Sequence, residues 1–257
     1  MRSLALGLVL AVLIAGCKDP AQNSRENSRD SVSEKTVVLV HGYGTGPADM
    51  RSLADFLEAA GYRAVTVDLP LTFDRVEEAA KIFAKKVKKI LSGLPENESI
   101  AMVGHSTGGL VIRYFLSHCP DSNRVDHTVL IATPNRGSKL AAMAGEVSDL
   151  LVETFATLDS LRPEKIDKLE LDDPEGTRIG AIAGNKSNLA LGRLLENEND
   201  GRVEVKSVYY PELDDFIIVS FNHDEIHHKK ETASLVIRFL ESGSFTEKPD
   251  SNTDRRN

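Results

Sequence analysis

Ser99-Ile100-Ala101-Met102-Val103-Gly104-His105-Ser106-Thr107-Gly108-Gly109-Leu110 is the stretch on which the reading of this chain turns. Ser99 to Val103 has the length and apolar content of a strand, while Leu110, Val111, Tyr114 and Phe115 recur at helical spacing beyond it. The residues between must therefore take the chain from extended to helical almost at once. A bend that sharp lifts the Ser106 hydroxyl clear of the backbone and crowds the positions two before and two after it. Both positions must lack a Cβ, and Gly104 and Gly108 do. Gly109 allows further close packing. The helix starting beneath Ser106 directs free N–H groups and the positive end of its dipole upward, which favours negative charge developing beside the hydroxyl.

The same switching of period runs outward in both directions. Thr36 to Val40 is a continuous run of the kind buried on both faces of a sheet. Leu53, Phe56, Leu57 and Ala60 share one helical face, which Gly61 ends. Arg63 to Val67 is the next strand. Val76, Ala79, Ala80, Phe83, Val87, Ile90 and Leu91 mark a second helix, stopped by Gly93 and Pro95. Val125 to Ala132 is a strand, but from Pro134 to about Gly176 none is convincing. There Leu140, Met143, Ala144, Val147, Leu150 and Leu151 predict a long amphipathic helix. Arg178 to Ala183 and Phe216 to Phe221 are the last strands, and Ala233, Val236, Ile237 and Leu240 define a closing helix. Repeated strand-then-helix order predicts one α/β domain over 36–243, with a mostly parallel sheet and helices on both faces.

Gly104-His105-Ser106-Thr107-Gly108, between its strand and its helix, resembles the nucleophile elbow of the α/β-hydrolases. His41-Gly42-Tyr43-Gly44 resembles the His-Gly segment that follows an early strand in lipases and esterases. Ala132-Thr133-Pro134-Asn135-Arg136-Gly137-Ser138 resembles the Thr-Pro-x-x-Gly-Ser segment of bacterial and glycosylphosphatidylinositol-deacylase-like lipases. Ile182-Ala183-Gly184-Asn185, Asn199-Asp200-Gly201, His223 and Phe239-Leu240 resemble the ending of small bacterial lipase-like hydrolases. Together these residues look like the lipase and esterase branch of the α/β-hydrolase superfamily, over roughly Thr36 to Phe245. The likeness is vague from Leu140 to Gly176. It departs at Arg202 to Val205, where relatives often carry a more apolar run with a proline.

The resemblance implies an α/β-hydrolase fold and a serine nucleophile, Ser106. It places an oxyanion hole at the backbone N–H groups of Thr107 and Tyr43, with Gly42 in place of Tyr43 if the loop is offset by one. The base must be a histidine presented at the carboxyl end of a late strand. Of seven histidines, His41 is expected to hold its loop and His105 to point away from Ser106. His118 and His127 fall at the wrong ends of their elements. His223 follows the last strand, where the order serine, acid, histidine puts the base; His227 and His228 lie farther along. The acid is expected after the preceding strand, at Asp200 in the turn Asn199-Asp200-Gly201. Asp214, Asp215, Asp172 and Asp173 precede strands and sit at the wrong edge of the sheet.

The ends of the chain read differently. Arg2, the apolar stretch Leu4 to Ala15 and the small residues after it form an export signal, too short to span a bilayer comfortably. Ile14-Ala15-Gly16-Cys17 resembles the bacterial lipoprotein box, which implies removal of residues 1–16 and a lipidated Cys17 anchoring the chain to a membrane of the bacterial envelope. Residues 17–35 are expected to form a flexible tether and 244–257 a disordered tail. Cys119, in an apolar helical pattern, is expected to be a buried, inert thiol. A formal net charge of −8 argues against nucleic acid as a partner, and no Cys/His cluster has zinc spacing.

The expectation for the whole is a carboxylic-ester hydrolase acting through Ser106, His223 and Asp200, with no metal or organic cofactor and a small-molecule or lipid ester as substrate. Residues 138–175 stand where this superfamily inserts a cap or lid, whose helix could shelter an acyl chain, touch a membrane, or simply cover the sheet. Acyl transfer and thioester hydrolysis use the same three residues. A surface lipoprotein that keeps the fold as a binding module is the reading outside enzymology.

Overall fold

The computed structural model describes residues 34–147 and 156–247. The export signal, Cys17, most of the tether, Leu150, Leu151 and the chain beyond 247 lie outside the described residues. Six strands form one sheet: β1 Thr36–Val40, β2 Arg63–Val67, β3 Ile100–His105, β4 Val125–Ile131, β5 Arg178–Gly184 and β6 Asp215–Val219. Their order is β2-β1-β3-β4-β5-β6, and every neighbouring pair is parallel. The sheet thus grows one way from β1 to β2 and the other way from β3 to β6. The order reverses between β1 and β3, which opens a crevice beyond the carboxyl ends of these two strands.

β-Branched and aliphatic side chains on fully buried strands alternate between two apolar layers. Val37 and Leu39 of β1 join one layer, Val38 and Val40 the other. The first layer is covered by α1 (Arg51–Ala59) and by the last helix, through Leu53, Leu57, Val236 and Phe239. The second is covered by α2 (Val76–Leu91) and α3 (Thr107–His118), where Phe83 meets Phe115 edge to face at 5.4 Å. Helix polarity agrees with charge: α2 carries Glu77 and Glu78 in its first turn and Lys88 and Lys89 in its last.

The insertion after β4 is helical, as the missing strand pattern predicts. It contains α4 (Lys139–Val147), α5 (Ala156–Ser160) and α6 (Pro163–Ile166). After β5 comes the short α7 (Val205–Val208), and after β6 the closing α8 (Lys230–Ser242), which ends on Gly243 at φ 71° with its amide on the Phe239 carbonyl. No helix among the described residues is long and apolar enough to cross a membrane.

Three expectations need correction. Lys35 belongs to the domain and not to the tether: its ammonium contacts Asp126 at 2.9 Å and its carbonyl accepts the Arg63 amide at 3.1 Å. Ser244 and Phe245 belong to the domain and not to the tail expected from Ser244 onward. Phe245 is buried against Phe239, ring centroids 4.8 Å apart, and its amide donates to Asp215. Cys119 is half-buried rather than buried, and burial pushes its thiol up, which keeps it protonated.

Candidate active site

Ser106 stands between β3 and α3 with φ 53° and ψ −126°, a backbone conformation that a residue with a side chain keeps only when its surroundings hold it there. Close packing does so. A Cβ on Gly104 would lie 2.6 Å from Gly109 Cα; one on Gly108 would lie 2.6 Å from the Val40 carbonyl oxygen and nearer still to that of His41. The crowding inferred from the sequence is therefore real, and it presses the elbow onto the end of β1. The Ser106 amide is tied to the Ile131 carbonyl at 2.8 Å.

His223 comes from the loop after β6 and Asp200 from the long loop after β5, so both sit at the carboxyl edge of the sheet beside Ser106. His223 Nε2 lies 3.0 Å from Ser106 Oγ, and His223 Nδ1 lies 2.7 Å from Asp200 Oδ2. Asp200 is fully buried. Its other oxygen accepts the amides of Arg202 at 2.9 Å and Val203 at 2.7 Å, and its carbonyl accepts the His223 amide at 2.9 Å. A carboxylate so placed can only accept from the imidazole. Nδ1 then carries the ring proton, and Nε2 offers its lone pair to the serine hydroxyl. The departure at Arg202 to Val205 does not disturb this, because the loop grips Asp200 through backbone amides and not through those side chains. Gly201 makes the turn at φ 96°, where a Cβ would strike Leu189.

The His41–Gly44 loop lies against the elbow: a Cβ on Gly42 would come within 3.1 Å of Ser106 Cβ. His41 holds this loop, its Nδ1–H donating to the Gly42 carbonyl at 2.9 Å and its Nε2 accepting the Leu69 amide at 3.1 Å. Thr107 opens α3, so its N–H has no helical partner. Neither its amide nor that of Tyr43 makes a hydrogen bond within the described residues.

Above Ser106 and His223 is a cavity of about 500 Å³. Its apolar wall is made by Pro134, Leu140, Leu158, Leu161, Leu191 and Val203, three of which come from the insertion. The Thr-Pro-x-x-Gly-Ser segment is the base of that insertion. Asn135 donates to the Val208 carbonyl at 2.7 Å, Gly137 turns at φ 85° against Pro163, and the Ser138 amide donates to the Leu161 carbonyl at 2.7 Å. The far side is pinned where Thr157 Oγ1 donates to the Asp74 carbonyl and the Val76 amide to Ser160 Oγ.

The carboxylates set aside in the sequence do other work. Asp214 accepts the Ile179 amide, Asp215 accepts from Ser244 and Phe245, and Asp173 meets the buried Arg113 at 3.3 Å. His105 does turn from the serine hydroxyl, but into contacts the sequence did not disclose. Its Nε2 donates to the His223 carbonyl at 3.1 Å, and its ring stacks on that of His227 at 3.8 Å. Burial, with the rings of His227 and His223 nearby, holds His105 well below the ordinary imidazole range and therefore neutral. Asn222 was also missed; its side-chain oxygen accepts the amides of Asp224 and Glu225 and shapes the loop carrying His223. The one signal for these contacts is histidine crowding, three of the seven falling between 223 and 228.

A serine on a tight elbow, at the reversal point of a parallel sheet, defines the class, and comparison with known proteins agrees on the fold: this chain has the α/β-hydrolase fold, and the proteins it resembles include esterases and lipases. The profile of the palmitoyl protein thioesterase family matches residues 36–163, just under half of the chain. Methylesterase 2 of Arabidopsis thaliana is 25% identical over 235 residues, covering 80% of this chain and 87% of that one. Triacylglycerol lipase 2 of Saccharomyces cerevisiae is 30% identical over 148 residues, 55% of this chain and 41% of that one. The chain matches only about a third of the length of two chloroplastic methylesterases of Arabidopsis thaliana, at 34% and 33% identity. Among solved structures, the mature lipase BlEst2 of Bacillus licheniformis superposes with a TM-score of 0.67 at 21% identity, covering 82% of this chain and 92% of that one.

Proposed function

We propose that this protein is a serine carboxylic-ester hydrolase that works through an acyl-enzyme. The reading rests on one observation, the unbroken line of hydrogen bonds from Ser106 through His223 to Asp200. His223 Nε2 takes the Ser106 proton as Oγ attacks the ester carbonyl. The negative charge moves to the carbonyl oxygen, where the Tyr43 and Thr107 amides receive it; each such donor typically lowers the barrier by about 2.7–4 kcal/mol. The C–O bond to the alcohol breaks, and His223 returns the proton to the leaving oxygen. Water then repeats the sequence, releasing the acid and restoring Ser106. Asp200 keeps the imidazole in the working tautomer and balances its positive charge. The acyl chain lies along Leu140, Leu158 and Leu161, because that wall of the cavity is apolar.

Chromogenic p-nitrophenyl esters of increasing acyl length test the reading, with Ser106→Ala as control. Turnover by the native protein and its loss in the variant are expected; equal rates in both overturn it. The family match at 36–163 favours a second reading, thioester hydrolysis by the same residues. Matched acyl esters and acyl thioesters, compared by kcat/KM, separate the two. The same proposal places the enzyme on an envelope membrane through lipidated Cys17. Incorporation of an alkyne-tagged fatty acid that is lost in Cys17→Ala is the expected result.

A further inference from the structure

We propose that Asp49, His105 and His227 form a binding site for a divalent transition-metal cation in the wall of the catalytic cavity. Asp49 comes from the 3-10 turn after β1, His105 from the end of β3 and His227 from the turn before α8. One ligand atom from each lies within 4.8 Å of the others, and all three residues line the cavity above Ser106. Two imidazoles and one carboxylate suit zinc and its first-row neighbours, with the open cavity left for a water molecule.

Two features distinguish this cluster from an ordinary polar contact. His105 and His227 are 4% and 2% exposed, yet His105 Nδ1 and His227 Nδ1 have no hydrogen-bond partner, and His227 Nε2 meets Asp49 Oδ2 at 3.1 Å as an ion pair outside hydrogen-bond geometry. Native proteins seldom leave buried polar atoms so, still less one on each of two stacked imidazoles. His105 is also prepared as a ligand. Its Nε2–H is committed to the His223 carbonyl, which leaves Nδ1 as a bare lone pair, the arrangement in which metal-bound imidazoles are held. His228 Nε2 faces Asp49 Oδ1 at 3.5 Å, so Oδ2, 3.1 Å from His227 Nε2, is the oxygen turned to the ion. Zinc–ligand distances of about 2.0–2.2 Å require the donors to close in by roughly 1 Å. The rings of His105 and His227, stacked at 23°, therefore splay as the ion enters. Bound metal would tie together the loop after β1, the elbow and the loop carrying His223.

Titration calorimetry of the full chain with zinc chloride tests this, using Ser106→Ala so that binding is read apart from any turnover. One ion per chain is expected, with affinity at least tenfold weaker in Asp49→Asn and in His227→Gln, both checked for folding by circular dichroism. Absence of saturable binding below millimolar zinc overturns the proposal, as does equal affinity in the folded variants. Should either variant fail to fold, cobalt(II) added to the unsubstituted chain gives the answer by NMR. Paramagnetically shifted signals from two imidazoles are expected, and their absence overturns the site.

Discussion

In the proposed reaction Ser106, His223 and Asp200 divide one task, and substituting each exposes a different part of it. Asp200 is the most instructive. An amide in its place keeps a carbonyl oxygen for the Arg202 and Val203 amides, so the loop survives, but the group turned to His223 becomes a donor. His223 must then turn its lone pair toward residue 200 and its proton toward Ser106, which is the tautomer that cannot act as base. Asp200→Asn is expected to lower kcat by about 10⁴-fold with KM nearly unchanged, as measured on the best chromogenic ester. A loss confined to KM would mean that Asp200 positions substrate and not the imidazole. The two glycines of the elbow act at the same scale. Their missing Cβ atoms are what allow Ser106 its positive φ, and this was legible in the sequence because the constraint spans only five residues.

Among elements, the insertion supplies half of the apolar wall of the cavity. Leu140 and Leu158 reach the cavity from two of its helices and Leu161 from the turn after the second, and the base is held by the Ser138–Leu161 and Asn135–Val208 bonds. Removing one leucine lengthens the apolar channel, and an added or lost methylene in such a pocket is worth about 1–3 kcal/mol. Leu161→Ala is accordingly expected to shift the ratio of kcat/KM for long over short acyl esters upward by roughly tenfold. An unchanged ratio would place the acyl chain elsewhere. The sequence marked this insertion by the absence of strand pattern and by one helical period. It did not disclose the path, because a short amphipathic helix reports that one face is buried without saying against what. The same shortfall moved both domain boundaries. Lys35 and Phe245 lie in polar surroundings along the chain: Lys35 finds Asp126 only when β1 and β4 share a sheet, and Phe245 is buried only when the chain folds back after Gly243 onto Phe239 and Asp215.

At the scale of the whole molecule, the edge of the sheet opposite the active site is bound by one carboxylate. Asp126 of β4 meets Lys35 before β1, Ser99 before β3 and its neighbour His127. Burial alone would raise its pKa, but hydrogen bonds from His127, Lys35 and Ser99 outweigh it and hold the carboxyl well below the usual carboxylate range. The folded-state value lies below the unfolded one, so the folded chain resists taking up this proton. The stabilisation is present above about pH 4 and drains away as pH falls through the folded-state value. Thermal melts between pH 7 and pH 2 are expected to show a lower Tm for Asp126→Asn at neutral pH and a shallower loss on acidification. Parallel curves for variant and native protein would show that Asp126 does not link folding to acid.

What the sequence by itself determined was whatever acts over a few residues or repeats along the chain. That covers the switching of apolar period that makes a parallel sheet flanked by helices, the glycines that permit the elbow, and the order of serine, acid and histidine. Tertiary structure alone decided which distant groups share a wall. Sheet order and register bring Asp49 and His227, from two turns, to His105 at the end of β3, lay Lys35 against Asp126 and bury Phe245. The physical reason is range: steric limits and periodicity are written into neighbouring residues. A contact between positions a hundred residues apart exists only once the strands that carry them are paired.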